Sequence, residues 1–403
     1  MAGHPGRALR GLASGALAIA LFANAPARAD ESTRIERAIA EGLAQDVEEE
    51  HRLEAETPWT IFPQIGYDPE SQLNGGVKFR TTDLFDTGFF FDVNTVLSIN
   101  RRQEATITLG DPHIGDTPYL SYVNVGGYMD DSKEFFGLGN NDVGPDPVSN
   151  ENIRRIAGAA AFGMHLLDGQ LAITGSLTPR WTKVGRGQSH KTPSTTTLFP
   201  DLPGIRGGWT SEMAVSAVFS TRRSVARPTQ GWVLLFKTAY VPSLGSDFEY
   251  TRLLFDASYL YPLLTRRQVL GVRLGGEALL GPSDRIPFYE LSYLGGEDTL
   301  RGYFPQRFLG KGRVLGSAEY RLKLVDFEFM DVWHVFIDGV GFVDAGRVFL
   351  DAKDFEDNFL DSYRWDYGGG VRIAFSSGEV ARIDVAFSEE NKPLVYLTFG
   401  HTF

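Results

Sequence analysis

From Pro58 to the C-terminus, hydrophobic and polar residues alternate with a period of two. In Tyr363–Phe375 the odd positions are Tyr, Trp, Tyr, Gly, Val, Ile and Phe, while the even ones include Arg364, Asp366 and Arg372. Ala381, Ile383, Val385 and Phe387 oppose Arg382 and Asp384. Leu270, Val272, Leu274 and Leu280 oppose Arg273 and Glu277, and Gly316, Ala318, Tyr320, Leu322 and Leu324 oppose Glu319, Arg321 and Lys323. Such alternation predicts strands with one apolar and one ionic face. Sixteen segments follow this rule, from 59–67 and 72–81 to 380–388 and 393–403. The fifth to seventh are placed at 117–129, 153–165 and 170–183, and the twelfth and thirteenth at 312–324 and 335–346. Long connections are expected at 130–152, 184–208, 281–311 and 347–362, all at one end of the sheet. Tight ones at 166–169 and 376–378 fall at the other end.

The first 57 residues have a different pattern. Arg7 and Arg10 precede an apolar, Ala-rich run from Leu12 to Ala25, and Ala27-Arg28-Ala29 precedes Asp30. Residues 1–29 therefore read as a secretory signal peptide. No other apolar run reaches the ~18 residues of a transmembrane helix, so any membrane crossing must use strands. In residues 30–57, Ile35, Ile39, Leu43 and Val47 recur every four positions among Glu36, Glu41, Asp46, Glu48, Glu49 and Glu50. That spacing predicts a short acidic amphipathic helix. It is read either as a solvated leader or as an element docking at the barrel mouth or on a partner.

Composition narrows the choice. Of 403 residues, 45 are Gly, 29 Phe and 15 Tyr, which suits strands and tight turns. There is no Cys, hence no disulfide, thiolate metal site or Cys nucleophile. The net charge of −12 argues against nucleic acid as a partner. A soluble sandwich and a transmembrane barrel both alternate. Export, aromatics near strand ends and the terminal run Val395, Leu397, Phe399, His401, Phe403 favour the barrel. The expectation is an all-β fold: a sixteen-stranded antiparallel transmembrane β-barrel over residues 58–403. An even strand count puts both termini on the periplasmic side of a bacterial outer membrane. Phe399 is expected on the lipid-facing side of the last strand.

One pair of motifs is specific. Leu294-Gly295-Gly296 and Leu300-Arg301-Gly302-Tyr303 precede the twelfth strand, Glu319 lies on that strand, and Phe342-Val343-Asp344-Ala345-Gly346 lies on the next. The order resembles the LRGY/VRGF and F-x-D-x-G motifs of the BamA/TamA-like barrels of the bacterial surface-antigen superfamily. Pro63–Pro69, Phe135–Asn140 and Pro228–Gly231 also resemble segments of that family, so the likeness covers about residues 58–403. It implies a sixth outer loop folded back into the lumen. Arg301, Gly302 and Tyr303 would be held there by Glu319, Phe342, Asp344 and Gly346. Asp344 and Glu319 can accept the guanidinium fork and Phe342 can offer its face. The alternative is a solvated Arg301. The 28 residues 30–57 leave no room for the POTRA modules usual in the family, so the chain reads as a short subgroup without them.

Enzymatic motifs are weak. The seven His are scattered without metal-ligand spacing, and the mature chain holds no G-x-S-x-G. His113 and His165 read as turn or wall residues, and Asp142, Asp146 and Glu151 as solvated loop acids. No enzyme activity, metal or cofactor is expected. The leading expectation is membrane assembly or transport of protein or lipid cargo. It would act at a soft seam between the first strand (Ile61, Ile65) and the last (Leu397, Phe399, Phe403). The alternative is a passive channel or a structural surface barrel. Expected partners are outer-membrane lipid, nascent outer-membrane proteins or lipid cargo, and the general barrel-assembly machinery for the protein's own insertion. The family also has dimeric members, which leaves a homodimer open.

Overall fold

The computed structural model describes residues 59–81, 84–140, 144–222, 224, 227–329, 333–376, 379–390 and 392–400. The signal peptide, the acidic 30–57 segment, His401 and Phe403 lie outside the described residues. Among the described residues eighteen strands occur in chain order. They are β1 (Trp59–Asp68), β2 (Gln72–Thr81), β3 (Phe90–Ser98), β4 (Gln103–Asp111), β5 (Tyr119–Phe135), β6 (Ser149–Leu166), β7 (Leu171–Arg186), β8 (Gly208–Ser220) and β9 (Gly231–Val241). Then follow β10 (Tyr250–Pro262), β11 (Gln268–Leu280), β12 (Ser292–Leu294), β13 (Phe308–Gly310), β14 (Gly312–Phe329), β15 (Trp333–Phe349), β16 (Arg364–Phe375), β17 (Val380–Phe387) and β18 (Leu394–Phe399). Sixteen of them close an antiparallel barrel, in chain order except that β11 pairs directly with β14 and β18 meets β1. β12 and β13 form a separate small hairpin inside the 281–311 loop.

The barrel is inside-out relative to a soluble protein. Ile61, Val123, Phe162, Val215, Phe236 and Tyr367 are exposed on the outer wall. Arg180, Lys237, Arg301, Arg307 and Arg382 are among the largest fully buried side chains. The period-two pattern produces this directly, because successive side chains point to opposite faces. Closed pairing also satisfies the backbone groups that a bilayer cannot.

Several strands run past the sequence-based bounds. β5, β6 and β7 extend by several residues at the end remote from the termini, while β14 and β15 lengthen at the terminal end, β15 at both. In β5 the alternation fails where the register shifts, between Asp130 and Lys133, so the period no longer marks the strand. The ladder with β6 continues nonetheless to the Phe135–Ser149 pair. Glu151, read as a loop acid, therefore sits buried on β6 and accepts the Thr195 hydroxyl at 2.6 Å.

We call the end holding the start of β1 and the end of β18 the base, and the opposite end the rim. At the rim a small apolar cluster of Phe135, Ile153, Val184, Ile205, Phe288 and Leu309 joins strand tips to loops. Helix α1 (Thr195–Leu198) lies beside it. Helix α2 (Ala352–Asn358) follows β15, with the Asp351 side chain accepting the Asp354 N–H as its cap.

Candidate functional site: the lumenal loop and the seam

The 281–311 loop turns into the barrel and is held there by charge. Arg301 donates from Nε to Asp344 Oδ2 at 2.7 Å and from Nη2 to Asp344 Oδ1 at 2.9 Å, a bidentate fork. Its Nη1 reaches Glu319 Oε2 at 3.0 Å. The guanidinium carbon stands 3.4 Å from the centre of the Phe342 ring. Arg301, Glu319 and Asp344 are fully buried. Burial opposes the guanidinium charge, but Asp344, Glu319 and Asp384 outweigh it and hold its pKa above the usual value.

The arrangement follows from strand parity. Glu319 on β14 and Phe342 and Asp344 on β15 all turn inward, and Glu319 lies directly opposite Phe342. Arg372 and Arg321 complete the cluster. Arg372 bridges Glu319 at 3.0 Å and Asp384 at 2.6 Å, and Arg321 donates to Glu319 Oε1 at 2.7 Å. Three guanidinium groups thus meet three carboxylates, so Arg301 is not a lone buried charge.

Gly302 and Tyr303 fit tightly. A Cβ on Gly302 would lie 2.6 Å from that of Asp366 and 2.9 Å from the Phe387 carbonyl, so only glycine lets the loop approach β16 and β17. Tyr303 is buried in a cluster with Leu294, Leu300, Phe308, Leu315 and Val348. Its hydroxyl donates to the Trp365 carbonyl at 3.3 Å, and its own carbonyl accepts from Tyr396 Oη at 3.2 Å. Gly346 lies beneath Leu294, where a Cβ would come within 2.9 Å of Leu294 Cδ1 and 2.8 Å of the Val314 carbonyl, leaving no room for a side chain.

Further ties escaped the sequence reading. Glu290, at the root of the loop, accepts from Arg155 at 3.2 Å, Arg180 at 2.8 Å and Arg252 at 3.2 Å. These arginines come from β6, β7 and β10, the first two across the lumen from β14 and β15 and the third two strands away from β14. Arg307 forms a bidentate pair with Glu390 at 2.8 and 2.9 Å. Arg382 donates to Asp298 at 3.2 Å and to Thr398 on β18 at 3.0 Å. Ser388 donates to the Gly302 carbonyl at 2.6 Å. Inward parity marked Arg382 as lumenal. No spacing marked Glu290 as the common acceptor of Arg155, Arg180 and Arg252, because its partners come from three separate strands. Near the loop tip, burial and the carboxylates of Asp298 and Asp68 push the Glu297 carboxyl up to about 7.

The seam is built differently. Among the described residues β1 and β18 share one register pair, Tyr67–Leu397. By contrast β1 and β2 pair from Trp59–Thr81 to Asp68–Gln72. Ile61 and Ile65 are exposed on the outer wall and Leu397 is half-buried. Phe399 departs from the lipid-facing expectation. It is 9% exposed and packs with Phe62 and Ala381, because the edge beside β1 leaves room for Phe62 to cover it. His113 and His165 stack on each other at the base, with ring centres 5.0 Å apart, and His165 Nε2 lies 3.1 Å from the Pro112 carbonyl. Among the described residues no group of three or more His, Asp or Glu has metal-binding geometry.

The barrel with its inserted loop has counterparts. The family model of the Omp85 superfamily domain matches residues 84–403. The chain belongs to the Omp85 superfamily. Its fold is similar to that of BamA from Haemophilus ducreyi lacking POTRA domains 1–3, at 13% identity and a TM-score of 0.59. That match covers 85% of this chain and 70% of the BamA chain. CdiB from Escherichia coli matches at 12% identity and a TM-score of 0.58, over 84% of this chain and 62% of its own. CdiB from Acinetobacter baumannii matches at 12% and 0.52, over 85% and 58%. The Omp85 barrel thus spans less than two thirds of either CdiB chain. At these identities the structural likeness speaks for the fold.

Proposed function

We propose that this Omp85 barrel acts in outer-membrane assembly or transport, moving or inserting protein or lipid cargo at the seam between β1 and β18. Its base would face the periplasm. The observation that carries this reading is the single Tyr67–Leu397 pair among the described residues of a wall otherwise laddered throughout. A sparsely paired edge offers N–H and C=O groups to an incoming strand. The short last strand, six residues in β18 against ten in β1, also favours a locally thinned bilayer. Arg301, Glu319, Phe342 and Asp344 would keep the loop seated while the seam works. An open channel is the competing reading. The inserted loop and the rim cluster speak against it, since they occupy the space through which solutes would pass.

The test is a seam lock. The Tyr67→Cys/Leu397→Cys pair, in a chain that is naturally free of Cys, should close the seam on oxidation. A photo-crosslinker at Val395, exposed on the outer wall of β18, should capture precursor outer-membrane proteins or report lipid transfer before the lock and not after it. A porin-sized conductance indifferent to the lock would overturn the proposal in favour of a channel.

A further inference from the structure

The outer wall carries a cationic patch that the ladder itself does not explain. Arg154 on β6 and Lys183 on β7 stand directly opposite each other, and both side chains are exposed. Like charges placed this way repel. Neither makes a hydrogen bond or ion pair among the described residues. Arg206 lies beside them. The turn after it packs on β7, where a Cβ on Gly207 would come within 2.7 Å of Lys183 Cα, and Arg206 is exposed and has no described partner either. The neighbouring acids do not neutralise the patch. Asp131 accepts from the Asn152 amide, and Asp130 from the Tyr128 hydroxyl at 3.1 Å. Asp201, exposed in the same loop as Arg206, forms no ion pair among the described residues. In a chain of net charge −12 the patch is a local reversal of sign.

Its height suits a lipid headgroup. Two residues nearer the base, Ile156 pairs with Trp181, and Trp181 pairs with Trp209. Ile156 and Trp209 are exposed on the outer wall. Trp side chains gather at the membrane–water interface. Two residues of strand rise about 7 Å, which a tilt of about 40° turns into about 5 Å along the membrane normal. The headgroup layer extends about 5–7 Å beyond the hydrocarbon. Arg154 and Lys183 therefore stand among the headgroups of the leaflet at the rim.

The same strands carry an apolar groove lower down. It has a volume of about 630 Å³ and opens among Val123, Phe162, Gly175, Leu177, Met213 and Val215. A Cβ on Gly175 would meet nothing within 4 Å, so this position leaves the groove open. Leu177 is about 20 Å along β7 from Lys183, or about 15 Å in depth after the tilt. One leaflet of hydrocarbon is about 15 Å thick. An acyl chain hung from the patch can therefore reach the groove.

We infer that Arg154, Lys183 and Arg206 bind the phosphate of an anionic lipid in the leaflet at the rim, with an acyl chain of that lipid in the Gly175 groove. A phosphomonoester headgroup matches the patch best. It carries about −1.5 to −2 charges at neutral pH and three strong acceptor oxygens. Arginine can hold two of those oxygens at once, and lysine adds a point charge. The site lies on β6 and β7 and does not depend on the seam reading.

The test is native mass spectrometry of the full chain, released from detergent containing phosphatidic acid, a phosphomonoester lipid, or phosphatidylglycerol, a phosphodiester of the same sign. We expect phosphatidic acid to be retained at least threefold better. Arg154→Gln/Lys183→Gln should lower its retention at least fivefold. Arg266→Gln/Arg267→Gln, which removes the same charge from exposed residues at the base, should leave it unchanged. Gly175→Phe, which fills the groove, should lower it at least twofold, and a tenfold excess of inorganic phosphate should not displace the lipid. Heat-modifiable migration of each variant checks that the barrel is intact. Equal retention of the two lipids, or retention indifferent to Arg154→Gln/Lys183→Gln, would overturn the proposal. So would displacement by inorganic phosphate with no effect of Gly175→Phe, which would make the patch a site for free anions.

Discussion

The wall from β14 to β17 and the seam between β18 and β1 are made from the same kind of strand, yet they are held by opposite means. β14 and β15 pair from Gly312–Phe349 to Phe329–Trp333, and the inserted loop adds Arg301 to an inner face that also carries Arg321 of β14 and meets Arg372 of β16. The seam has one described backbone pair. Its last strand is instead held from inside, where Tyr396 donates to the Tyr303 carbonyl and Thr398 accepts from Arg382. β18 is thus tied to the loop directly through Tyr396 and indirectly through Arg382 of β17, which also donates to Asp298. The lesson is that closure here is partly a side-chain property, and the loop is the element through which the two regions communicate.

That comparison can be broken most severely at Arg301. Arg301→Ala leaves Asp344 and Glu319 facing a void in the lumen, and breaking a buried pair in this way costs about 3–5 kcal/mol. We expect the 281–311 segment to become sensitive to limited proteolysis while the barrel stays folded. Protection equal to the wild type would separate the loop from the cluster. Next comes Glu290→Gln, which keeps the shape but removes the shared acceptor of Arg155, Arg180 and Arg252. Charged hydrogen bonds of this kind contribute about 1.5–3 kcal/mol. Hydrogen exchange should rise at the loop root near Phe288 before it rises at the tip, the reverse of Arg301→Ala.

A smaller effect is expected from pH. The Glu297 carboxyl sits at about 7 in the docked loop, above its ordinary value near 4.5, so docking favours the protonated form. The associated stabilisation is full below about 4.5 and is lost as pH rises through about 7. A nitroxide at Gln306→Cys should report a loop that becomes more mobile between pH 5 and 8, and Glu297→Gln should flatten the profile. Unchanged mobility across that range would show that Asp298 and Asp68 do not act on this group. The smallest change is Tyr396→Phe, which removes one hydrogen bond to the loop, worth about 1 kcal/mol. Crosslinking between Tyr67→Cys and Leu397→Cys should then become slower or less complete, with the loop itself still protected.

Much of this was legible in the sequence because strands report their two faces every second residue. Inward parity put Glu319, Phe342 and Asp344 on the lumenal face, while the expectation that Arg301 joins them came from the resemblance of the two motifs to those of the surface-antigen barrels. The Glu290 anchor was not legible, since Arg155, Arg180 and Arg252 are separated by stretches of chain that only the closed ladder brings together. Nor was the burial of Phe399 beneath Phe62, because parity assigns a face while packing at a sparsely paired edge can cover it. The upper reaches of β5 to β7 were hidden for a related reason. Above an apolar band the outer face no longer has to be hydrophobic, so the periodic signal fades while the backbone ladder continues.

The Tyr67–Leu397 pair also has a consequence for how the barrel forms. Most other ladders in the wall join strands that are neighbours in the chain, so they can grow hairpin by hairpin at low entropic cost. β1 and β18 must find each other across more than three hundred residues, and one backbone pair returns little against that loop closure. The loop anchored by Arg301 and Glu290 reduces the search, because it fixes β17 and β18 against a completed wall before β1 arrives. Closure would then be the last and slowest kinetic event, and its rate would be set by the seating of a loop that belongs to neither closing strand.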